Sequence, residues 1–176
     1  MKMDAGLDTG PILTERRTAI SEEDTAQTLH DRLATMGAEL LVETIPSWVS
    51  GRLTPRAQPE GATYARKIEK SDGLIDWNEA AAQISRKVRA FTPWPGAYTF
   101  LEANGQRRMI KVLGGSMVDA GGEPGAVVSS SKEGIVVATG SGAFCITALQ
   151  PEGRKRMAAH EFLTGHPLGK GQVFTR

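Results

Sequence analysis

One long helical pattern occupies the first third of the chain. Apolar residues recur every three or four positions across residues 29–49, the spacing of an amphipathic helix. Ser21 and the three acidic residues after it predict the helix start, because hydroxyl and carboxylate groups stabilise a helix N-terminus. Gly37 and Pro46 are expected to loosen or kink this helix, and Gly51 to end it.

The pattern changes to an alternation of apolar and polar residues in the second half of the chain. Turn signals at Asn104-Gly105, Gly121-Gly122 and residues 140–142 separate the alternating runs, which is typical of short strands joined by tight turns. Five such strands predict a small barrel. The predicted strands are Ala97–Leu101, Arg108–Leu113, Gly125–Ser129, Gly134–Thr139 and Phe144–Leu149.

One helix is predicted on each side of these strands. The first follows Asn78, a favourable N-cap residue, and the second follows Arg156 and includes Met157. Their apolar faces are predicted to consist of Ala81, Ile84, Val88 and Phe91 in the first helix, and of Met157, Phe162 and Leu163 in the second.

Residues 52–70 form a predicted linker between two modules. The stretch contains two prolines, one glycine and few apolar residues, without a sustained period, a composition typical of a linker. We therefore predict a first module over residues 1–51 and a second module over residues 71–176.

Composition places the chain among ordinary soluble proteins. Its 176 residues are 40% hydrophobic with a mean hydropathy of -0.26, enough for one large domain or two small ones. The single cysteine, Cys145, excludes an internal disulfide, and its apolar neighbours predict a buried strand position. No signal peptide or membrane span is visible, so we expect a cytoplasmic protein with no membrane partner.

Charge is distributed unevenly between the two ends of the chain. Residues 1–55 hold five Lys/Arg against nine Asp/Glu, whereas residues 56–176 hold sixteen against eleven. Basic clusters at residues 86–89 and 154–156, together with the basic linker, have two interpretations: a solvated surface, or a stripe that binds a phosphate backbone. The residues concerned are Arg66, Lys67, Lys70, Arg86, Lys87, Arg89, Arg154, Lys155 and Arg156.

Aromatic residues surround two prolines in the stretch "FTPWPGAY". Phe91, Trp94 and Tyr98 could stack on a nucleic-acid base. The favoured interpretation is a wedge packed between the preceding helix and the barrel.

Two aspartates lie in the glycine-containing stretch "MDAGLDTGPIL" near the start of the chain. Asp4 and Asp8 are close enough for one to orient the loop and the other to address a substrate, yet no partner for proton transfer lies nearby. On spacing alone, turn residues that bond to their own backbone are the favoured interpretation. His30, His160 and His166 match no metal-binding motif and are predicted to be surface or structurally satisfied residues.

Five segments, taken in order, resemble the methionyl-tRNA formyltransferase family. They are "MDAGLDTGPIL", "TAQTLHDRLATMGAELLVETI", "YARKIEKSDGLIDWN", "RAFTPWPGAY" and "LQPEGRKRMAAHEFLTGH", and they span essentially the whole chain. The resemblance implies an α/β plus β-barrel fold class: the C-terminal remnant of a nucleotide-fold formyltransferase domain (residues 1–51), then a basic linker, then an OB-like small barrel domain with flanking helices.

The resemblance also implies a reaction and its residues. The family transfers the formyl group of 10-formyltetrahydrofolate to the α-amino group of methionyl initiator tRNA, with no metal. Asp8 corresponds to the family's catalytic aspartate, and the backbone of Asp4, Ala5, Gly6 and Leu7 would approach the folate. The nine basic residues named above would contact tRNA. A monomer is expected.

The family's catalytic asparagine and histidine come earlier than the segment that this chain resembles. We therefore expect this chain alone to be inactive, whether it is a truncated chain, an incomplete gene or the product of a misplaced start. Two other classes stay open at this point: a folate-dependent formyltransferase acting on a sugar nucleotide, and a free-standing RNA-binding module.

Overall fold

The computed structural model describes residues 1–103 and 106–176, which divide into two compact units. The first unit is Met1–Lys67 and the second is Ile68–Arg176. The turn predicted at Asn104-Gly105 lies outside the described residues. Within the described part, no helix has both the length and the apolar character needed to cross a bilayer.

One long helix, α1 (Ala26–Val49), is the main element of the first unit. The Thr25 hydroxyl accepts a hydrogen bond from the Thr28 backbone N–H and so caps the helix. The helix continues through both Gly37 and Pro46. The predicted helix is confirmed, but its cap is Thr25 rather than a residue at its predicted start.

The extended segment before α1 is attached to the helix by polar side chains. The Arg16 guanidinium donates to Glu39 at 3.0 Å and to Glu43 at 2.9 Å. The hydroxyls of Thr14 and Thr44 lie 2.7 Å apart, and Thr44 is the buried residue of the helix. Most apolar side chains of α1 are exposed or half-exposed in this structure, so polar contacts hold the segment in place.

Asp24 joins the start of α1 to the helix interior. Its carboxylate accepts from Arg32 at 2.7 Å and from the Ser21 backbone N–H at 2.7 Å, and the Asp24 side chain is buried. The hydrogen bond from Arg32 is the largest cause that holds the pKa of Asp24 well below its usual range.

The second unit is an antiparallel sheet with helices. A short 3-10 helix, Lys70–Gly73, precedes its other elements. In chain order they are α2 (Ala81–Ala90), β1 (Ala97–Ala103), β2 (Gln106–Val118), β3 (Val127–Ser131), β4 (Gly134–Ala138), β5 (Ala143–Pro151), β6 (Met157–Ala158), α3 (Ala159–Gly165) and β7 (Phe174–Thr175). The strand order in the sheet is β3-β4-β5-β2-β1-β7, with β6 paired to β5.

The C-terminal segment connects the two edges of this curled sheet. Strand β7 pairs with β1, while the Val127 N–H at the start of β3 donates to the Gln172 carbonyl at 2.7 Å. The Phe174 N–H donates to the Gly125 carbonyl at 2.8 Å. Both edge strands therefore find backbone partners.

Inward-facing side chains of the strands and of α2 form the core. The core includes Ile84 and Val88 of α2 together with Val112, Phe144 and Ile146 of the sheet. Within β5, Phe144 and Ile146 are two positions apart and therefore lie on the same face of the sheet. The five strands predicted from alternation are all present, with bounds shifted by a few residues.

Two local predictions in this unit are wrong. The residue at the N-cap of α2 is Ala80, because Asn78 instead donates to the Asp76 carboxylate at 2.9 Å. Met157 lies in β6 rather than in the last helix, where it pairs with Leu149 of β5. Cys145 is buried in β5 as predicted, and burial raises the pKa of its thiol.

Candidate functional site

Asp4 stabilises the acidic turn through side-chain hydrogen bonds. Its Oδ1 accepts from the Gly6 backbone N–H at 3.0 Å and from the Thr9 hydroxyl at 2.5 Å. These bonds match the turn interpretation of Asp4, because a short carboxylate often substitutes for a backbone acceptor in a tight turn. The Asp4 carboxylate is therefore already used within the loop.

Asp8 differs from Asp4 in both backbone and side chain. Its φ of 53° puts it in the left-handed region, and it is the one non-glycine residue with positive φ in the described part of the chain. Asp8 is exposed, and among residues 1–103 and 106–176 its carboxylate has no hydrogen-bond or ion-pair partner. Asp8 is thus the carboxylate of this loop that is available for chemistry.

A glutamine distant in sequence holds the loop on the other side. The Gln58 amide Nε2 donates to the Asp8 carbonyl at 2.6 Å and to the Gly10 carbonyl at 2.7 Å. Sequence reasoning missed Gln58, since a glutamine in a polar, proline-containing stretch matches no motif.

The other residues assigned to folate line the same loop. Ala5, Gly6 and Leu7 are exposed, and the Leu7 side chain is 78% exposed. Exposed apolar residues in this loop give a surface against which a planar ring can pack.

Basic residues around the boundary between the units are exposed. Arg66 and Lys67 end the first unit, and Lys70 opens the 3-10 helix of the second. The Arg66 guanidinium donates to the Lys67 carbonyl at 3.1 Å.

The basic cluster of α2 is not uniform. Arg86 is exposed, whereas Arg89 is half-buried. The Lys87 ammonium donates to the Leu74 carbonyl at 3.2 Å and pairs with Glu79 at 3.3 Å. Lys87 therefore has a structural role that Arg86 does not share.

Arg154, Lys155 and Arg156 lie in the exposed connection between β5 and β6. Arg154 borders a groove of about 680 Å³ whose lining includes Leu101, Phe162 and His166. The His166 ring stacks on Phe162 with ring centres 4.8 Å apart. The cluster thus adjoins a groove that both apolar and charged side chains line, Glu102, Glu152 and Glu161 among them.

Trp94 is not a buried wedge. Its side chain is 54% exposed, while Phe91 and Tyr98 are half-buried. The favoured sequence interpretation of "FTPWPGAY" is therefore wrong for Trp94. The flanking Pro93 and Pro95 restrict the backbone that presents its ring.

The three histidines are at the surface, as predicted. His30, His160 and His166 are all exposed, and His30 Nδ1 lies 3.2 Å from an Asp31 carboxylate oxygen. Across residues 1–103 and 106–176, no three His, Cys, Asp or Glu side chains form a metal-binding group.

Comparison with known protein families shows which family the chain belongs to. Residues 67–167 match the family model described as formyl transferase, C-terminal domain. The chain belongs to this family. The match starts at the end of the first unit and covers α2, β1 to β6 and α3, so all strands of the sheet except β7 lie within the region that matches the formyl transferase C-terminal domain.

Three curated relatives of this formyl transferase chain carry the same name. Methionyl-tRNA formyltransferases from Citrifermentans bemidjiense and Dechloromonas aromatica are each 44% identical to it, covering 97% and 99% of this chain. The Paraburkholderia xenovorans protein of that name is 48% identical over 99% of this chain. The chain covers 53–55% of these relatives and so spans about half their length, matching their C-terminal part. The resemblance seen in the sequence is confirmed.

Solved structures support the fold of this formyl transferase chain. HypX from Aquifex aeolicus in complex with tetrahydrofolic acid has a TM-score of 0.65 at 19% identity, covering 98% of this chain and 32% of HypX. A variant of the same protein gives a TM-score of 0.63 at 21% identity, covering 98% of this chain and 34% of that one.

Proposed function

We propose that this chain acts in a methionyl-tRNA formyltransferase, which transfers the formyl group of 10-formyltetrahydrofolate to the α-amino group of methionyl initiator tRNA in the cytoplasm. The observation that carries this proposal is the 44–48% identity to proteins of that name over nearly the whole chain. A sugar-nucleotide formyltransferase has no such support.

The proposed reaction forms one bond and breaks another. The methionyl amino nitrogen attacks the formyl carbon, a tetrahedral oxyanion forms, and the bond from that carbon to the folate nitrogen breaks. The amino group loses a proton and the folate nitrogen gains one. Asp8 helps to remove this proton or holds the charge of a neighbouring histidine. The histidine and asparagine that the family resemblance implies are not assigned to residues of this chain.

The folate is proposed to contact the loop that carries Asp8. A tetrahydrofolic acid complex exists for HypX, and in this chain Asp4, Ala5, Gly6 and Leu7 are all exposed, two of them apolar. Because Asp4 is bonded within the turn, its part is to shape the loop for the pterin ring. No metal is required by this mechanism.

The basic residues are proposed to hold the tRNA backbone. Exposed cations bind phosphates through charge alone and carry no sequence information. The proposed set includes the half-buried Lys87 and Arg89. Its exposed members are Arg66, Lys67, Lys70, Arg86, Arg154, Lys155 and Arg156. We assign residues 1–51 to the end of a nucleotide-fold formyltransferase domain, residues 52–70 to a basic linker and residues 71–176 to an OB-like, tRNA-binding domain, in a monomeric enzyme.

A transfer assay tests this proposal. Radiolabelled formyl transfer to methionyl initiator tRNA is measured for the chain alone, and for the chain mixed with the part of the Dechloromonas aromatica relative that it does not match. We expect transfer by the mixture and none by the chain alone. Initiator tRNA binding by the chain is measured in parallel. A mixture that neither transfers the formyl group nor retains tRNA contradicts the proposal.

A further inference from the structure

We propose that Gln58 is a positioning residue that sets the backbone conformation of Asp8, an inference that rests on the proposed catalytic role of Asp8. Gln58 donates both hydrogens of its side-chain amide to the loop, one to the Asp8 carbonyl at 2.6 Å and one to the Gly10 carbonyl at 2.7 Å. These two acceptors are 50 and 48 positions away in the sequence.

The backbone of Asp8 needs such a constraint. A non-glycine residue at a φ of 53° occupies a region that L-residues disfavour, and it persists where surrounding contacts fix it. A hydrogen bond to the Asp8 carbonyl fixes the orientation of the peptide that follows Asp8. The second bond fixes the Gly10 carbonyl, so the two peptides that flank Thr9–Gly10 cannot rotate independently.

A backbone pair delivers Gln58 to this place. The Ile12 N–H donates to the Arg56 carbonyl at 2.7 Å, and the Arg56 N–H donates to the Ile12 carbonyl at 2.8 Å. The Arg56 guanidinium also donates to Glu15 at 3.1 Å. Side chains two residues apart in an extended segment lie on the same side. Gln58 follows Arg56 by two residues, and its side chain contacts the loop.

Gln58 and Asp4 constrain complementary parts of the loop. Asp4 accepts hydrogen bonds from the Gly6 N–H and the Thr9 hydroxyl, whereas Gln58 donates to the Asp8 and Gly10 carbonyls. Neither residue engages the Asp8 carboxylate, which stays available while its Cα is fixed. A fixed backbone holds the reactive side chain that it carries in one position relative to the substrate.

The test compares three variants by NMR of the full chain. Gln58→Met keeps the size and removes both donors, and Gln58→Glu replaces the donors with a carboxyl group. Gln27→Met is the matched control, because Gln27 is exposed on α1 and donates to Asp31 at 2.8 Å. The readouts are the Asp8 amide–α-proton coupling, which reports φ, and the exchange rate of the Gly6 amide.

Measuring Gln58→Glu over a range of pH tests whether residue 58 acts through hydrogen bonds or through its size alone. An ionised carboxyl at position 58 repels the two carbonyls, whereas a protonated one donates to one of them. Because the neutral form alone is hydrogen-bonded, its pKa rises above the ordinary value of about 4.3. The same pH series on the wild-type chain and on Gln58→Met shows which changes do not come from the carboxyl group at position 58.

The expected result is a local change with acid rescue. In Gln58→Met the Asp8 coupling changes and Gly6 exchange accelerates about tenfold, as the loss of two hydrogen bonds implies, while α1 resonances stay in place. Gln58→Glu shows the same two changes as Gln58→Met at pH 7. On acidification its Asp8 coupling and its Gly6 exchange rate return towards the wild-type values. An unchanged Asp8 coupling in Gln58→Met overturns the proposal, as does an equal loss of order across α1. Neither outcome depends on the transfer assay, so the positioning role and the proposed function fail separately.

Discussion

The indole Nε1 of Trp77 donates a hydrogen bond of 2.9 Å to the Oγ1 of Thr99, and both side chains are buried. The Thr99 hydroxyl in turn donates to the Thr175 carbonyl at 2.9 Å. One hydroxyl therefore links the segment before α2, strand β1 and strand β7. This link lies where the C-terminal strand joins the sheet.

Thr99→Val should destabilise the second unit. Valine keeps the shape of threonine but leaves the Trp77 indole and the Thr175 carbonyl without their partner, which costs about 1–3 kcal/mol for buried groups. Urea unfolding followed by tryptophan fluorescence measures the loss. Thr147→Val is the control, since Thr147 is exposed on β5 and should change stability by less than about 0.5 kcal/mol. Equal effects of the two substitutions would contradict the role given to Thr99.

Gly140→Ala should also destabilise the second unit, for a steric reason. A Cβ at Gly140 would lie 1.9 Å from the Asn78 carbonyl oxygen, so the backbone would have to move. We expect a loss of about 1–3 kcal/mol, the range for overpacked positions. Gly121→Ala has nothing within 4 Å of the added atom and serves as the control. Similar thermal unfolding of both variants would exclude the close approach.

Acidification should loosen the start of α1. Because the pKa of Asp24 is lowered in the folded chain by Arg32, its contribution is fully present above the ordinary carboxyl pKa. The contribution is lost as pH falls towards the lowered value. Amide exchange at the first turns of α1 should accelerate over that interval. In Asp24→Asn this pH dependence should disappear, whereas the exposed control Glu22→Gln should retain it. A retained dependence in Asp24→Asn would assign the effect to other groups.

The basic cluster at residues 154–156 should contribute more to tRNA affinity than an exposed lysine outside the proposed set. Replacing Arg154, Lys155 and Arg156 by alanine should weaken binding and reduce the log–log salt slope by about 0.7–0.9 for each phosphate that the variant no longer neutralises. Lys132→Ala, an exposed lysine outside the proposed set, is the control. Filter binding of initiator tRNA at several salt concentrations measures the slope. A slope unchanged from wild type would make the cluster a solvated surface only.

Within α2, Arg86→Ala should reduce tRNA affinity more than Lys87→Ala. Lys87 is held by the Leu74 carbonyl and Glu79, so its replacement should also lower the free energy of unfolding, which Arg86→Ala should not. Binding and urea unfolding of both variants provide the comparison. The opposite ranking in either measurement would contradict the division of roles.

Asp8→Asn should abolish most formyl transfer in the mixed assay. The substitution removes the charge and keeps the size, so turnover should fall by roughly 10²–10⁴, the range for an acid–base residue. Asp4→Asn should act through the turn and raise the KM for folate. Equal and small effects of both substitutions would favour the turn interpretation for both aspartates.

Local sequence patterns determined the longer helices and strands of this protein, but not the two-residue strands β6 and β7 or the short 3-10 helix. Alternation of apolar residues predicted β1 to β5, and three-to-four spacing predicted α1, because both periods follow from backbone geometry within a single segment. The apolar surroundings of Cys145 predicted its burial for the same reason. The family resemblance also lay within short motifs.

Only the tertiary structure decided which distant residues meet. Gln58 bonds to a loop 48–50 positions away, and Gln172 bonds to Val127 to connect the edges of the sheet. Such contacts depend on the path of the backbone between the partners, which no local period encodes. Trp94 illustrates the same limit, since an aromatic residue between prolines has the same sequence pattern whether it is buried or exposed. The exposed Trp94 ring and the two bonds of Gln58 are thus outcomes of packing between segments.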